Sequence, residues 1–301
     1  MKKLLVVLVS AFLTMSSMGQ VKAEDAPTIV VIDNGANTAL FKNNIVWEVC
    51  LLSSYKCPNG KLTMEGPGSA NLPATTNKDF NHGTQMISII TRFNPTAKVI
   101  PIRIVGMNPN GNPSLYNLDD VKVALDWVIA NRIKYNIAVV NLSQGKIFAN
   151  CKVPTGMKDQ IAALKAVNVA VIAAVGNDGD HTSVFSPACL TDTVSVGATD
   201  NPWPGSQGYE YDKKAPPYIA RYSNGANGQV DFYLNARWNA LQLNGSTKFT
   251  VGTSNSTALM SALWLANRKA TFDETFNYFV SISTNAKNEF VNGRFIPAPD
   301  A

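Results

Sequence analysis

The sequence predicts an α/β protein: a parallel sheet whose strands are joined by crossover helices. Two observations carry this. Short apolar runs rich in β-branched residues alternate along the chain with segments whose apolar residues recur at helical spacing. In addition, 46% of the 301 residues are hydrophobic and only 16% are charged, so the chain can bury a full core and is not disordered. The 20 Gly and 16 Pro follow no repeating triplet and no period divides the sequence, which excludes fibrous and solenoid architectures.

Residues 1–23 read as a signal peptide. Lys2 and Lys3 precede the apolar run Leu4 to Leu13, and Val21-Lys22-Ala23 is a small-x-small cleavage pattern. The apolar run is about half the roughly 20 residues needed to cross a bilayer. No later segment is apolar enough to span one, so the processed protein is expected to be secreted or periplasmic. Cleavage after Ala23 removes three lysines and no acid, so the formal charge falls from +5 to +2. With no Lys/Arg cluster in the remainder, nucleic-acid binding is excluded.

Thr28 to Ile32 is a buried strand ending in the turn signal Asp33-Asn34-Gly35. A helix starting at His82 has the stripe Met86, Ile87, Ile89 and Ile90. Strand Lys98 to Val105, helix Leu118 to Ile133 and strand Ile137 to Leu142 form one βαβ unit, the helix carrying Val121, Ala124, Leu125, Val128 and Ile129 on one face. Helix Met157 to Val167 and strands Val169 to Val175 and Thr193 to Ala198 follow. A helix rich in small residues, Ser254 to Lys269, and an amphipathic one, Asp273 to Ile282, close the series. No Pro/Gly linker divides residues 24–301, so one domain is expected.

An even count of cysteines in an exported chain reads as disulfides. Cys50, Cys57, Cys151 and Cys189 allow three connectivities. Pairing 50 with 57 and 151 with 189 is favoured, because the first two flank a short polar loop and the other two each follow a predicted strand. The longer loop would contribute roughly 4 kcal/mol in the chain-entropy model. No CxxC or histidine pair supports a metal centre instead.

Three residues carry candidate chemistry. Asp33 ends a strand at its carboxyl edge, His82 starts a helix, and Ser254 starts another, where a serine alone is most often a cap. Together they form the set that acyl transfer needs. A serine hydroxyl is a poor nucleophile until an imidazole takes its proton, and the imidazole needs a carboxylate to fix its tautomer. The chain order Asp, His, Ser is that of the subtilisin triad. The neighbourhoods agree: Ile32-Asp33-Asn34-Gly35, His82-Gly83-Thr84-Gln85-Met86 and Gly252-Thr253-Ser254 resemble the three active-site motifs of subtilisin-like serine proteases, the subtilases. Val139 to Gly145 resembles the strand that pairs with substrate in that family, and Ala173 to Gly179 its oxyanion turn.

The resemblance implies an α/β three-layer subtilisin-like fold, with a mostly parallel central sheet and helices on both faces. It implies a serine endopeptidase with Asp33, His82 and Ser254 as the triad and Asn177 and the Ser254 N–H as oxyanion donors. Substrate would lie as an extended strand beside Ser143, Gln144 and Gly145, and the pocket for the residue preceding the scissile bond would be walled by Ala173, Ala174, Val175 and Gly176. Phe185 falls where relatives often have glycine, so its ring would fill the pocket floor and favour small residues there. No cofactor is required for the chemistry; calcium is common in the family, but no loop here matches a ligand spacing. A monomer is expected. The sequence departs from the family's pattern in several places: no prosegment is recognised before Asp33, Asn255-Ser256-Thr257-Ala258 follows the serine without the usual proline, and Gln144 replaces an apolar residue. These departures define the alternative, a secreted pseudoprotease that binds an extended peptide without cleaving it. His181 reads as a loop residue.

Overall fold

The computed structural model describes residues 26–200 and 217–297; the signal peptide reading lies outside the described residues. Strand β1 (Thr28–Asp33) is followed by β2 (Val49–Leu51), β3 (Thr63–Glu65), α1 (Asn81–Phe93), β4 (Lys98–Arg103), α2 (Leu118–Asn131), β5 (Ile137–Leu142), α3 (Met157–Ala166), β6 (Ala170–Ala174), β7 (Val194–Thr199) and β8 (Phe232–Asn235). A hairpin of β9 (Arg237–Leu241) and β10 (Thr247–Val251) leads into α4 (Thr253–Ala266), then α5 (Phe272–Ile282), β11 (Thr284–Lys287) and β12 (Asn292–Phe295).

Ten strands form one sheet in the order β11-β12-β8-β7-β6-β5-β1-β4-β2-β3. All pairs are parallel except β11 with β12 and β2 with β3, at the two edges. Each central strand is apolar on both faces, as a sheet covered on both sides requires. Val30 and Ile32 of β1 face α2 and α3, packing with Val121, Leu125, Ile161 and Leu164. Ile29 and Val31 face α1, α4 and α5, packing with Met86, Ile90, Leu259 and Phe279. The architecture is therefore helix, sheet, helix, with the two apolar layers on either side of the sheet. Both disulfides pair as favoured, Cys50 with Cys57 and Cys151 with Cys189, at Cα separations of 6.0 and 5.8 Å.

The predicted elements shift mainly at their ends. Helix α2 stops at Asn131, and Ile133, counted toward its length, is 82% exposed. Strand β4 stops at Arg103, although Ile104 and Val105 stay buried outside the ladder. Strands β2, β3 and β8 to β12 are not anticipated: they are three to five residues long, and the polar Thr284–Lys287 has no apolar run to announce it. They extend the edges and form the hairpin that delivers α4.

Two features of the topology place the site. From β1 the chain goes on to β4 on one side and later returns to β5 on the other, so the strand order reverses at β1. The carboxyl ends of strands at such a reversal leave a crevice that ligands use. Helix α4 runs beneath it, packed on α1, β5, β6, β7 and β8 and buried from Thr253 to Leu265. Its buried Ser, Thr and Asn side chains are hydrogen-bonded: Asn255 Nδ2 donates to the Ala236 carbonyl (2.9 Å), Ser256 Oγ to that of Leu234 (2.9 Å) and Ser261 Oγ to Asn141 Oδ1 (3.0 Å). These bonds offset the cost of burying polar groups, and those of Asn255 and Ser256 hold the helix start.

Candidate active site

Asp33, the last residue of β1, is 2% exposed and receives the His82 imidazole: Nδ1 lies 2.8 Å from Oδ2 and 3.0 Å from Oδ1. The turn residue Asn34 builds this contact. Its backbone N–H donates to Asp33 Oδ1 (2.7 Å), and its side-chain oxygen accepts the Gly83 N–H at the start of α1 (3.0 Å). A Cβ on Gly83 would stand 2.1 Å from the Gly35 carbonyl oxygen, so only glycine lets the helix start approach the strand end closely enough to bring His82 over Asp33. Burial disfavours the imidazolium, but the Asp33 charge and hydrogen bond outweigh it, and the His82 pKa is raised above its ordinary 6.5. With Nδ1 turned to the carboxylate, Nε2 is the free nitrogen of the 28% exposed ring.

Ser254 is the second residue of α4 and is 9% exposed. Its Oγ donates to the Ser143 carbonyl (3.2 Å), and Ser143 Oγ donates back to the Ser254 carbonyl (3.2 Å) while accepting from Asn141 Nδ2 (3.1 Å). The next residue, Gln144, places its amide nitrogen 3.2 Å from His82 Nδ1 and 3.3 Å from Asp33 Oδ1. Consecutive residues past the end of β5 thus touch the serine on one side and the His–Asp pair on the other. Among the described residues no hydrogen bond joins Ser254 Oγ to His82; the hydroxyl rests on the Ser143 carbonyl.

Asn177 lies exposed in the turn after β6. Its side-chain oxygen accepts from the Thr253 N–H (2.8 Å) and hydroxyl (3.1 Å), which leaves the amide N–H₂ free beside the start of α4. Asn224, fully buried, staples this turn: its side-chain oxygen accepts the Asp178 and Asp180 N–H groups (2.8 and 3.1 Å) and its N–H donates to the Gly176 carbonyl (3.0 Å). Ala173 and Val175 turn their side chains into the core, so that segment offers backbone and Gly176 to the crevice. Phe185 is wedged between the two walls. A methyl group built on Gly145 would stand 2.9 Å from its Cβ and Cδ2, and one on Gly176 would stand 2.5 Å from Cδ1 and Cε1.

A family model described as the subtilase family matches residues 24–273. The chain belongs to the subtilase family. Among curated relatives, this subtilase is 33% identical over 132 residues to an extracellular serine proteinase of Thermus sp. strain Rt41A, covering 42% of this chain and 29% of that one. It is 28% identical over 163 residues to the minor extracellular protease Epr of Bacillus subtilis strain 168, covering 51% of this chain and 23% of that one. The matched region spans between about a quarter and a third of the length of the curated relatives. Among solved structures, a protease of Pseudoalteromonas arctica superposes with a TM-score of 0.68 at 18% identity, over 91% of this chain and 89% of that one. The prenylagaramide maturation protease PagA superposes with a TM-score of 0.62 at 20% identity, over 88% and 86%. At these identities the likeness is one of fold, and it bears out the three-layer α/β arrangement.

The structure of this subtilase brings Asp33, His82, Ser254, Asn177, Ser143, Gln144, Gly145, Gly176 and Phe185 to one crevice. Asn34 and Asn224 are the residues that sequence reading passes over. Each looks like an ordinary turn residue, and nothing local signals that its side chain reaches a helix start or a turn brought close only by the fold. Among the described residues no three His, Cys, Asp or Glu side chains gather to hold a metal ion. No described helix is long and apolar enough to cross a membrane. His181 stacks on Phe290, ring centroids 4.2 Å apart, in its loop.

Proposed function

We propose that this subtilase is an exported serine endopeptidase that cleaves peptide bonds through an acyl-enzyme on Ser254. The observation that carries the reading is the His82 Nδ1 to Asp33 contact of 2.8 Å, joined to Ser254 through the adjoining residues Ser143 and Gln144. Rotation of the Ser254 side chain off the Ser143 carbonyl toward His82 Nε2 gives the reactive arrangement; such hydrogen bonds commonly tighten only when substrate is bound. His82 then takes the hydroxyl proton as Oγ attacks the scissile carbonyl. The developing oxyanion is held by the Asn177 amide and the Ser254 N–H. His82 gives its proton to the departing amine, and water repeats the sequence on the ester to release the acid and restore the serine. Asp33 keeps the imidazole in the tautomer that leaves Nε2 free.

Substrate would add as an extended strand beside Ser143 to Gly145, by main-chain pairing. The similarity to extracellular proteases and the two disulfides support export to an oxidising compartment. A monomer that needs no cofactor for the chemistry is the simplest form of this reading. The resting Ser254 hydroxyl, bonded to a backbone carbonyl, favours one second reading: a peptide-binding pseudoprotease.

A serine-directed fluorophosphonate probe separates the two. Covalent label on Ser254 that is lost in Ser254→Ala, in His82→Ala and in heat-denatured protein is expected. Folded protein that takes no label would leave the pseudoprotease as the reading.

The position of the Phe185 ring supports a small residue before the scissile bond. Because it occupies the space between the Gly145 and Gly176 backbones, a residue with a small side chain should precede the scissile bond. Peptides with alanine there are expected to be cleaved in preference to those with phenylalanine. In Phe185→Ala the phenylalanine peptide should gain roughly 10- to 100-fold in kcat/KM, the transfer free energy of about 1.5–3 kcal/mol for one aromatic side chain. The alanine peptide should change little. A wild-type preference for large aromatic residues would refute the assignment.

A further inference from the structure

The Gln144 side chain does something that a substrate-binding strand does not require. Its amide nitrogen stands 3.3 Å from Asp33 Oδ1 and 3.2 Å from His82 Nδ1, touching both acid and base. The imidazole that donates Nδ1–H to Asp33 has no lone pair left on Nδ1 to accept a second hydrogen. The Gln144 N–H is therefore directed to the carboxylate; the opposite amide orientation would face an oxygen to an ionised oxygen. Asp33 Oδ1 then accepts from two neutral donors, the Asn34 N–H at 2.7 Å and the Gln144 amide, while the imidazole bridges the two carboxylate oxygens, nearer to Oδ2 (2.8 Å) than to Oδ1 (3.0 Å).

We propose that Gln144 is a positioning residue of the catalytic pair: by sharing the Asp33 carboxylate it holds Oδ2 toward His82 and lowers the basicity of the imidazole. Both effects follow from charge. A donor on Oδ1 draws off part of the negative charge that favours imidazolium, and the positive end of the amide dipole faces Nδ1 directly. The other charged or titratable groups around the pair do not supply this. Arg103, the neighbour of Asp33 across β1 and β4, lays its guanidinium over the Phe80 ring (5.8 Å) and donates to the Val105 carbonyl (3.0 Å). Burial, with the charges of Asp33 and Asp120 behind it, pushes the Tyr116 hydroxyl far above the usual phenol range, so it stays neutral. Ser143 and Ser254, which bond each other beside Gln144, carry no titratable charge. The role rests on the peptidase reading for its consequence in catalysis but not for its measurement.

The chain has only two histidines, so the His82 imidazole can be titrated in the full protein by ¹⁵N NMR, with His181→Gln to assign the resonances. In Gln144→Leu, close in volume but without a donor, the His82 pKa is expected to rise by roughly half a pH unit, the scale of one weak charge-assisted hydrogen bond at a part-exposed site. The acid limb of kcat/KM should move up with it, and the Nδ1–H resonance should move downfield. Gln144→Glu, which reinstates an acceptor in place of the donor, should raise the His82 pKa further than Leu does. A His82 pKa in Gln144→Leu that is equal to or below wild type, in protein whose remaining spectrum shows the native fold, overturns the proposal. Loss of all peptide cleavage in the wild type would instead overturn the peptidase reading, and the imidazole titration would still report on Gln144.

Discussion

Replacing Ser254 or His82 by alanine should each lower kcat toward peptide by roughly 10⁶, and the double variant should be little worse than either alone. Among the described residues the hydrogen-bond partner of Ser254 Oγ is the Ser143 carbonyl, which accepts a hydrogen bond but cannot take the proton away, so the proton needs His82. Without His82 the hydroxyl stays protonated and a poor nucleophile, and without Ser254 the imidazole has nothing to activate. Two groups that act in one proton transfer are lost together, so their effects do not add. The residue of catalysis that survives, roughly 10³–10⁴ over the uncatalysed reaction, would come from the Asn177 side and from substrate alignment, neither of which these substitutions touch. Steady-state rates of the two single variants and the double variant on one peptide, with circular dichroism as a check of folding, decide the matter. Additive losses would show that Ser254 and His82 do not share a step.

Asp33→Asn should cost roughly 10⁴ in kcat while preserving the fold. The Asn34 N–H already donates to Oδ1 at 2.7 Å, so the carbonyl of an asparagine would keep that place and turn its N–H₂ toward His82 Nδ1. Nδ1 would then have to accept, the ring proton would move to Nε2, and the nitrogen that should take the serine proton would already carry one. The pH profile separates this from simple misplacement. In the wild type burial opposes the imidazolium, yet the Asp33 charge and hydrogen bond prevail, so the His82 pKa lies above 6.5 and activity should fall as pH drops through that raised value. In Asp33→Asn the burial remains and the favourable charge is gone, so the acid limb should move below 6.5. The linked stability has the sign of a raised base: the His82–Asp33 attraction is fully present below pH 6.5 and is lost as pH rises through the folded-state pKa. In Asp33→Asn that pH dependence should reverse: with burial alone left to lower the folded-state pKa below 6.5, stability should fall as pH drops from 6.5 through that lowered value.

The apolar strand runs, the helical stripes at Val121 to Ile129 and the Asp, His and Ser motifs were legible because each is a local pattern. Periodicity set by one face of a helix or strand can be read in a window of a dozen residues. So can a glycine-flanked catalytic residue, because the tight approach that requires the glycine lies next to it in sequence, as Gly83 follows His82. The pairing of Cys151 with Cys189 depends on which strands end on the same side of the sheet, which no local pattern states. The short edge strands were not legible: Thr284–Lys287 owes its conformation to pairing with Asn292–Phe295 and not to its own residues.

By itself the sequence determined the chemistry on offer: an acid at a strand end, an imidazole and a hydroxyl at two helix starts, a carboxamide in a glycine-bounded turn, and enough apolar residues to bury a three-layer core around them. The tertiary structure alone decided the details that tune that chemistry. Gln144 lies 111 residues along the chain from Asp33 and 62 from His82, yet its amide shares their hydrogen bond. Phe185 stands between glycines at 145 and 176 that no local pattern connects to it, and Asn224 holds the Asn177 turn from a distant loop. The physical reason is the same for each. A side chain's partners within a few residues are set by backbone geometry, whereas partners across the sheet are set by which strands lie side by side, and that order is a property of the whole fold.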